Sequence, residues 1–179
     1  MQKSALSAAE RRIARSMSGL TALPGLMDAH VHMVLDPNRS APPGAEELPD
    51  AGAMRERAAM MVRAGITTAR DLGGGAWYEI DLRNSINQGE IPGPRLLCAG
   101  QPVTCTGGHC HFWGGEAADA AAAKVVIDRQ VQHSVDLVKV MATGGRFTRG
   151  SKPHAPQFEL PVLSEIVGYA RAQGLSVAA

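Results

Sequence analysis

Leu23-Pro24-Gly25-Leu26-Met27-Asp28-Ala29-His30-Val31-His32 sets two imidazoles two residues apart at the end of a short apolar run. In a strand successive side chains face opposite sides of the sheet, so His30 and His32 project one way while Ala29 and Val31 project the other. Two neutral imidazoles held like this can share one divalent cation, at a Zn–N distance of ~2.0–2.1 Å if the ion is zinc. His-x-His alone is a short pattern, and an incidental pair of histidines is the competing reading.

Outward from this run the chain alternates short apolar or β-branched stretches with helix-like ones, the rhythm of repeated βα units and a parallel sheet. Strands are expected near 24–32, 65–71, 95–100, 135–141 and 175–179, and helices near 51–64, 77–89, 117–133 and 160–173. The third helix is carried by the strong helix formers of Glu116-Ala117-Ala118-Asp119-Ala120-Ala121-Ala122-Ala123-Lys124. Gly65 and Gly174 stand where helices hand over to strands, a common place for a left-handed terminating residue.

Three further stretches fall in the same rhythm: Ala64-Gly65-Ile66-Thr67-Thr68-Ala69-Arg70-Asp71, then Asp136-Leu137-Val138-Lys139-Val140-Met141-Ala142-Thr143-Gly144-Gly145, then Pro156-Gln157-Phe158 leading through a helix to Gly174-Leu175-Ser176-Val177-Ala178-Ala179. With the first run they resemble, in order, the motifs of strands one, two, four and five of the amidohydrolase superfamily. The first-strand pattern of that family reads Pro-Gly-(Leu/Phe)-(Ile/Val)-Asp-x-His-x-His. The resemblance covers about residues 18–179 and points to the branch of Xaa-Pro dipeptidase-like, arginine carboxypeptidase-like and imidazolonepropionase-related enzymes.

The fold it implies is α/β, a TIM-type (β/α)8 barrel covered here for about the first four βα units plus the fifth strand. Residues 1–17 read as a leader, disordered or a short helix, where the family usually places strands of a small β-sandwich. That sandwich is therefore expected to be absent or incomplete. The family's third metal-binding histidine would follow Val177-Ala178-Ala179 directly, with a fourth and an aspartate on later strands. Three readings compete: a piece of a longer polypeptide, which is the expectation preferred here; completion by a second copy or another chain; or a reading frame that no longer makes an enzyme. In each, this chain alone is expected to be inactive or incomplete.

The resemblance also assigns site residues. His30 and His32 bind metal, one or two divalent ions, zinc by expectation. Lys139 corresponds to the lysine that reacts with carbon dioxide to give a carbamate bridging two cations. Burial near cations lowers a lysine's pKa and frees its amine, and apolar Leu137, Val138, Val140 and Met141 favour a buried strand over a snorkelling surface lysine. His109, in Thr106-Gly107-Gly108-His109, resembles a loop histidine that meets substrate, with an exposed loop residue as the competing reading. Arg146, beside Arg149 and Lys152, is a candidate for pairing with a substrate carboxylate, or belongs to a solvated loop. Asp28 takes a supporting role, and Asp71, at the carboxyl end of the second strand, either supports the metal ligands or is structural, the latter preferred.

Composition excludes other classes. A formal charge of +1 over 179 residues gives no reason to expect nucleic acid. No run reaches the ~18 apolar residues that a membrane span needs, and a cytoplasmic address is the default. Cys98, Cys105 and Cys110 form no paired framework, and a zinc cluster of Cys105, Cys110, His109 and His111 lacks the second knuckle such sites use. The Pro-rich stretch 36–50 leaves the carboxyl end of the first strand, where a barrel carries its active site.

The expected function is metal-dependent hydrolysis of an amide or peptide bond in a small substrate, such as a dipeptide or N-acyl amino acid. Two readings compete with it: a non-catalytic metal-binding half barrel that needs a partner chain, and a cyclic-amide (imidazolone-type) hydrolase with one metal and an unmodified Lys139.

Overall fold

The computed structural model describes Ser7, Ala9, residues 17–39 and residues 47–179. Most of the expected leader and the middle of the 36–50 loop lie outside the described residues. Five strands, β1 (Leu26–Val31), β2 (Ile66–Asp71), β3 (Arg95–Cys98), β4 (Leu137–Lys139) and β5 (Ser176–Ala178), alternate with α1 (Ala51–Arg63), α2 (Tyr78–Asn87), α3 (Ala120–Gln132) and α4 (Leu160–Ala172). Every strand pair runs parallel, as βα repetition requires.

Each expected element is present, with shorter ends that have local causes. The side chain of Asp50 accepts the amide of Ala53 and opens α1, and Asp119 does the same for Ala122. That cap holds Ala117 and Ala118 outside α3, which the sequence placed from 117. Trp77 adopts a left-handed conformation with φ 64°, so α2 begins one residue later than expected. The strand expected over 24–32 ends at Val31, and β1 pairs with β2 through register irregularities on both sides of Met27–Asp28.

The strands fall in the order β1-β2-β3 and, separately, β4-β5. Hydrogen bonds cross the break on both sides: Asp136 N–H donates to the Cys98 carbonyl at 2.9 Å, and Val103 N–H to the Lys139 carbonyl at 2.8 Å. Between them the ladder is replaced by a side chain. The Asp136 carboxylate accepts Cys98 N–H at 2.8 Å and the Arg83 guanidinium at 2.7 Å, taking the donor a neighbouring strand would have used.

Helices cover the sheet through two apolar clusters. Met54 and Ala58 of α1 and Ile80 and Leu82 of α2 bury against Ala69, Leu96 and Cys98. Val126 and Ile127 of α3 and Ile166 and Ala170 of α4 bury against Val103, Val138 and Val140. Each large aliphatic side chain removed from water contributes about 1.5–3 kcal/mol. β1 pairs only with β2 and β5 only with β4 among the described residues. On β1, Leu26 and Met27 are 61% and 78% exposed, leaving apolar surface at a sheet edge. No helix among the described residues is long and apolar enough to cross a membrane.

Candidate active site at the carboxyl ends of the strands

Parallel strands deliver their carboxyl ends to one rim, and loops leaving that rim build the site. His30 and His32 come from the end of β1, His109 and Trp113 from the loop after β3, Lys139 from the last position of β4, and Ala179 follows β5. Together they line a cavity of about 310 Å³. Residues far apart in sequence thus meet because five strands share one direction.

The rings of His30 and His32 lie 5.2 Å apart, edge to face at 67°. His32 also packs 5.1 Å from Trp113. Its Nδ1 lies 2.9 Å from the carbonyl of Gly73. A carbonyl only accepts, so Nδ1 carries the proton and Nε2 keeps its lone pair. Burial pushes the His32 pKa down to about 4, and burial with the Lys139 charge lowers His30 as well. Both imidazoles are therefore neutral at pH 7, the form that a cation binds.

The His32 ring is held by a buried clamp. Asp71, wholly buried at the end of β2, accepts Met33 N–H at 2.7 Å and Gly73 N–H at 2.8 Å, one on each oxygen. Arg57 of α1 donates Nε and Nη2 to the Met33 carbonyl at 3.1 and 2.7 Å. The residue after His32 and the residue whose carbonyl holds His32 are thus tied to one carboxylate. Gly73 meets this demand at φ 122°, where a side chain would be strained and its Cβ would fall 2.7 Å from the Gly100 carbonyl.

Beside Asp71 sits Glu79, with 0% exposure and no hydrogen-bond donor for either carboxylate oxygen. Burial first and then the Asp71 charge push Glu79 up to about 8. Burial raises Asp71 too, to about 7, against the pull of its two backbone donors, so of the pair Glu79 holds a proton the more readily. Asp81, Arg83 and Cys98 complete its charged and titratable surroundings. A raised carboxyl pKa stabilises the fold below the unfolded value of ~4.3, and that stability is lost as pH rises through the folded value. Urea midpoints measured from pH 5 to pH 9 are expected to fall more steeply for the native chain than for Glu79→Gln. Parallel curves would show that Glu79 ionises without cost.

Lys139 is 7% exposed, and burial followed by the charge of Arg70 lowers its pKa. His109 is half-buried. Its N–H donates to Gln157 Oε1 at 2.9 Å and its Nδ1 lies 3.1 Å from Thr148 Oγ1. A Cβ on Gly145 would fall 2.4 Å from the His109 ring, so only glycine leaves the imidazole its place. Gln157 also accepts the Thr104 hydroxyl at 2.8 Å and donates to the Thr143 carbonyl at 2.8 Å, tying the loops after β3 and β4 together. Asp28 accepts His30 N–H at 3.1 Å, a supporting contact.

Other sequence candidates fall elsewhere. Arg146 is exposed and outside the lining of this cavity; its neighbour Phe147 turns inward in its place. A polar side chain in a solvated loop gains nothing from burial without a partner, which accounts for the exchange. His111 bonds the Gly108 carbonyl, and His133 stacks on Trp77 at 3.8 Å. Cys98, Cys105 and Cys110 are free thiols. The sequence reading singled out Asp71 but missed its partner Glu79 and the role of Gln157. Glu79 stands in the first turn of α2, where an acid ordinarily serves the helix dipole in water and carries no signal of burial.

Among the described residues no group of three or more His, Cys, Asp or Glu side chains could hold a metal ion. What the rim offers is two neutral imidazoles, one with its tautomer fixed by a backbone carbonyl, and a buried amine. That donor set fits one side of a divalent cation's coordination sphere.

Residues 21–179 match the family model described as Amidohydrolase family. Ochratoxinase of Aspergillus niger is 27% identical over 186 residues, which cover 88% of this chain and 38% of that protein. A crystal structure of a Xaa-Pro dipeptidase with methionine bound in its active site superposes with a TM-score of 0.77 at 27% identity, covering 86% of this chain and 42% of the other. The crystal structure of A. niger ochratoxinase gives 0.71 at 24% identity, over 86% and 42%. The chain therefore spans less than half the length of the relatives it matches.

Proposed function

The chain belongs to the amidohydrolase family, and from that premise we propose that it carries the first half of a TIM-type barrel whose rim hydrolyses a carbon–nitrogen bond of amide type in a small substrate with the help of divalent metal. One observation carries this reading: His30, His32 and Lys139, brought from β1 and β4, line a single cavity at the carboxyl ends of the strands.

In this reading His30 and His32 hold a cation through the ring nitrogens not engaged with the protein. A divalent cation bound there supplies acidification of water and polarisation of the scissile carbonyl. The Gly73 carbonyl keeps the His32 ring in its tautomer and orientation throughout. Lys139, as a neutral amine, attacks carbon dioxide; its nitrogen gains a carbon and releases one proton, leaving a carbamate oxygen pair where the amine stood. That converts a cationic side chain, a poor neighbour for a metal, into an anionic one. His109 faces the same cavity, where its imidazole orients the substrate carbonyl or carboxylate. The remaining donors and the proton acceptor would come from strands beyond the five described.

Zinc retention and intact mass test the reading. After incubation with zinc and bicarbonate the native chain is expected to retain metal through gel filtration and to gain the mass of one carbon dioxide, and Lys139→Met is expected to lose the increment. A chain that retains no more zinc than His30→Ala/His32→Ala, or that never shows the increment, overturns it; metal without the increment favours the one-metal, unmodified-lysine alternative.

A further inference from the structure

A second cavity, of about 550 Å³, adjoins the one that holds the imidazoles and shares Leu35, Trp113 and Phe147 with it. This volume lies within the ~300–1,000 Å³ typical of small-molecule sites. Its floor is aromatic. Phe112 stands edge to face 5.5 Å from Trp113 at 72° and tilted 6.3 Å from Phe147 at 57°, so three rings border one space.

The charged side chains at its border already have protein partners. Arg39 pairs with Glu47, Arg57 binds the Met33 carbonyl, Asp50 caps α1, and Asp36 accepts Asn38 N–H. Gln101 is 91% buried and its Nε2 donates to the Gly75 carbonyl at 2.8 Å, so its amide holds the wall of the cavity. A ligand in this space meets rings rather than charges without partners.

We propose that this cavity binds the aryl group of the substrate, an aromatic side chain or aryl acyl group. Trp113 forms the wall between the two cavities, with His32 5.1 Å from its ring. A ring seated against Phe112, Trp113 and Phe147 therefore places the rest of the same molecule over His30 and His32. The aromatic rings give the ligand its affinity and its preference for aryl over aliphatic groups. Why an aryl group belongs there rests on the amide-hydrolase reading, but its binding needs neither metal nor turnover.

The test is a titration of the zinc-free chain, followed through the two indole N–H signals of Trp77 and Trp113 in a proton–nitrogen correlation spectrum and assigned with Trp77→Phe. N-acetyl-L-phenylalaninamide is expected to shift Trp113 saturably and leave Trp77 unmoved. N-acetyl-L-leucinamide is expected to bind about three- to tenfold more weakly, and Phe147→Ala to weaken the phenylalanine probe by a similar factor, the worth of one lost aromatic pair. An unmoved Trp113, equal shifts of both indoles, equal affinity for the leucine probe, or indifference to Phe147→Ala overturns the aryl site. Zinc retention is read separately, so a failed aryl site and a failed metal site give different results.

Discussion

His32→Ala is expected to lower the affinity of the chain for zinc by more than ~100-fold, beyond the 10- to 100-fold that loss of a residue supporting a ligand usually costs. His32 is the better presented of the two imidazoles: buried, neutral, and held by the Gly73 carbonyl so that Nε2 is open. The substitution removes the ligand and also leaves the Gly73 carbonyl without its donor, so a stability loss of about 1–3 kcal/mol accompanies it. Competition against a chromophoric chelator reads the first effect and urea denaturation the second. His154→Ala, at an exposed position, is the control and should change neither. Zinc affinity that survives His32→Ala would remove the imidazole pair from any metal site.

The second large effect is expected at a residue that touches no ligand. Asp71→Ala strips the acceptor from two backbone amides, those of Met33 and Gly73, at a cost of ~1–3 kcal/mol for each buried donor. It also releases both ends of the arrangement that aims His32, so zinc affinity should fall 10- to 100-fold in protein that is still folded. Asp71→Asn retains one acceptor oxygen and places an amide N–H against the other donor, and should lie between the two. Removing the Asp71 charge relieves Glu79 as well, so the stability loss should shrink as pH rises toward 8 and level off above it, where Glu79 is ionised in both chains. A purely structural role predicts lost stability with unchanged zinc affinity at low denaturant. Affinity that tracks the amide contacts identifies Asp71 as a positioning residue.

Several features were legible from local pattern alone. The alternation of β-branched runs with Ala- and Leu-rich stretches located the five strands and four α-helices found among residues 17–39 and 47–179, because strand and helix periodicities differ and glycine and capping residues mark their ends. His30 and His32 were visible as a pair, since a two-residue spacing brings side chains to one face. Lys139 was visible because a lysine flanked by four apolar residues contradicts its usual place at the surface. Arg146 shows the limit of the same reasoning: a loop residue's direction depends on the loop's turns, and here Phe147 faces the cavities while Arg146 faces water.

Sequence by itself determined the order of elements, the parallel arrangement and the identity of the imidazole pair, because these follow from patterns spanning a few residues and from the directional rule that βα repetition imposes. Only the tertiary structure decided that Asp71 holds the amides on either side of the His32 interaction, that Glu79 is buried without a donor, and that Phe112, Trp113 and Phe147 enclose a second cavity against the first. Burial, tautomer and cavity shape arise from contacts between residues dozens of positions apart, such as the 41 residues separating His32 from Gly73. Such contacts exist once the strands have lined up, and no local pattern encodes them.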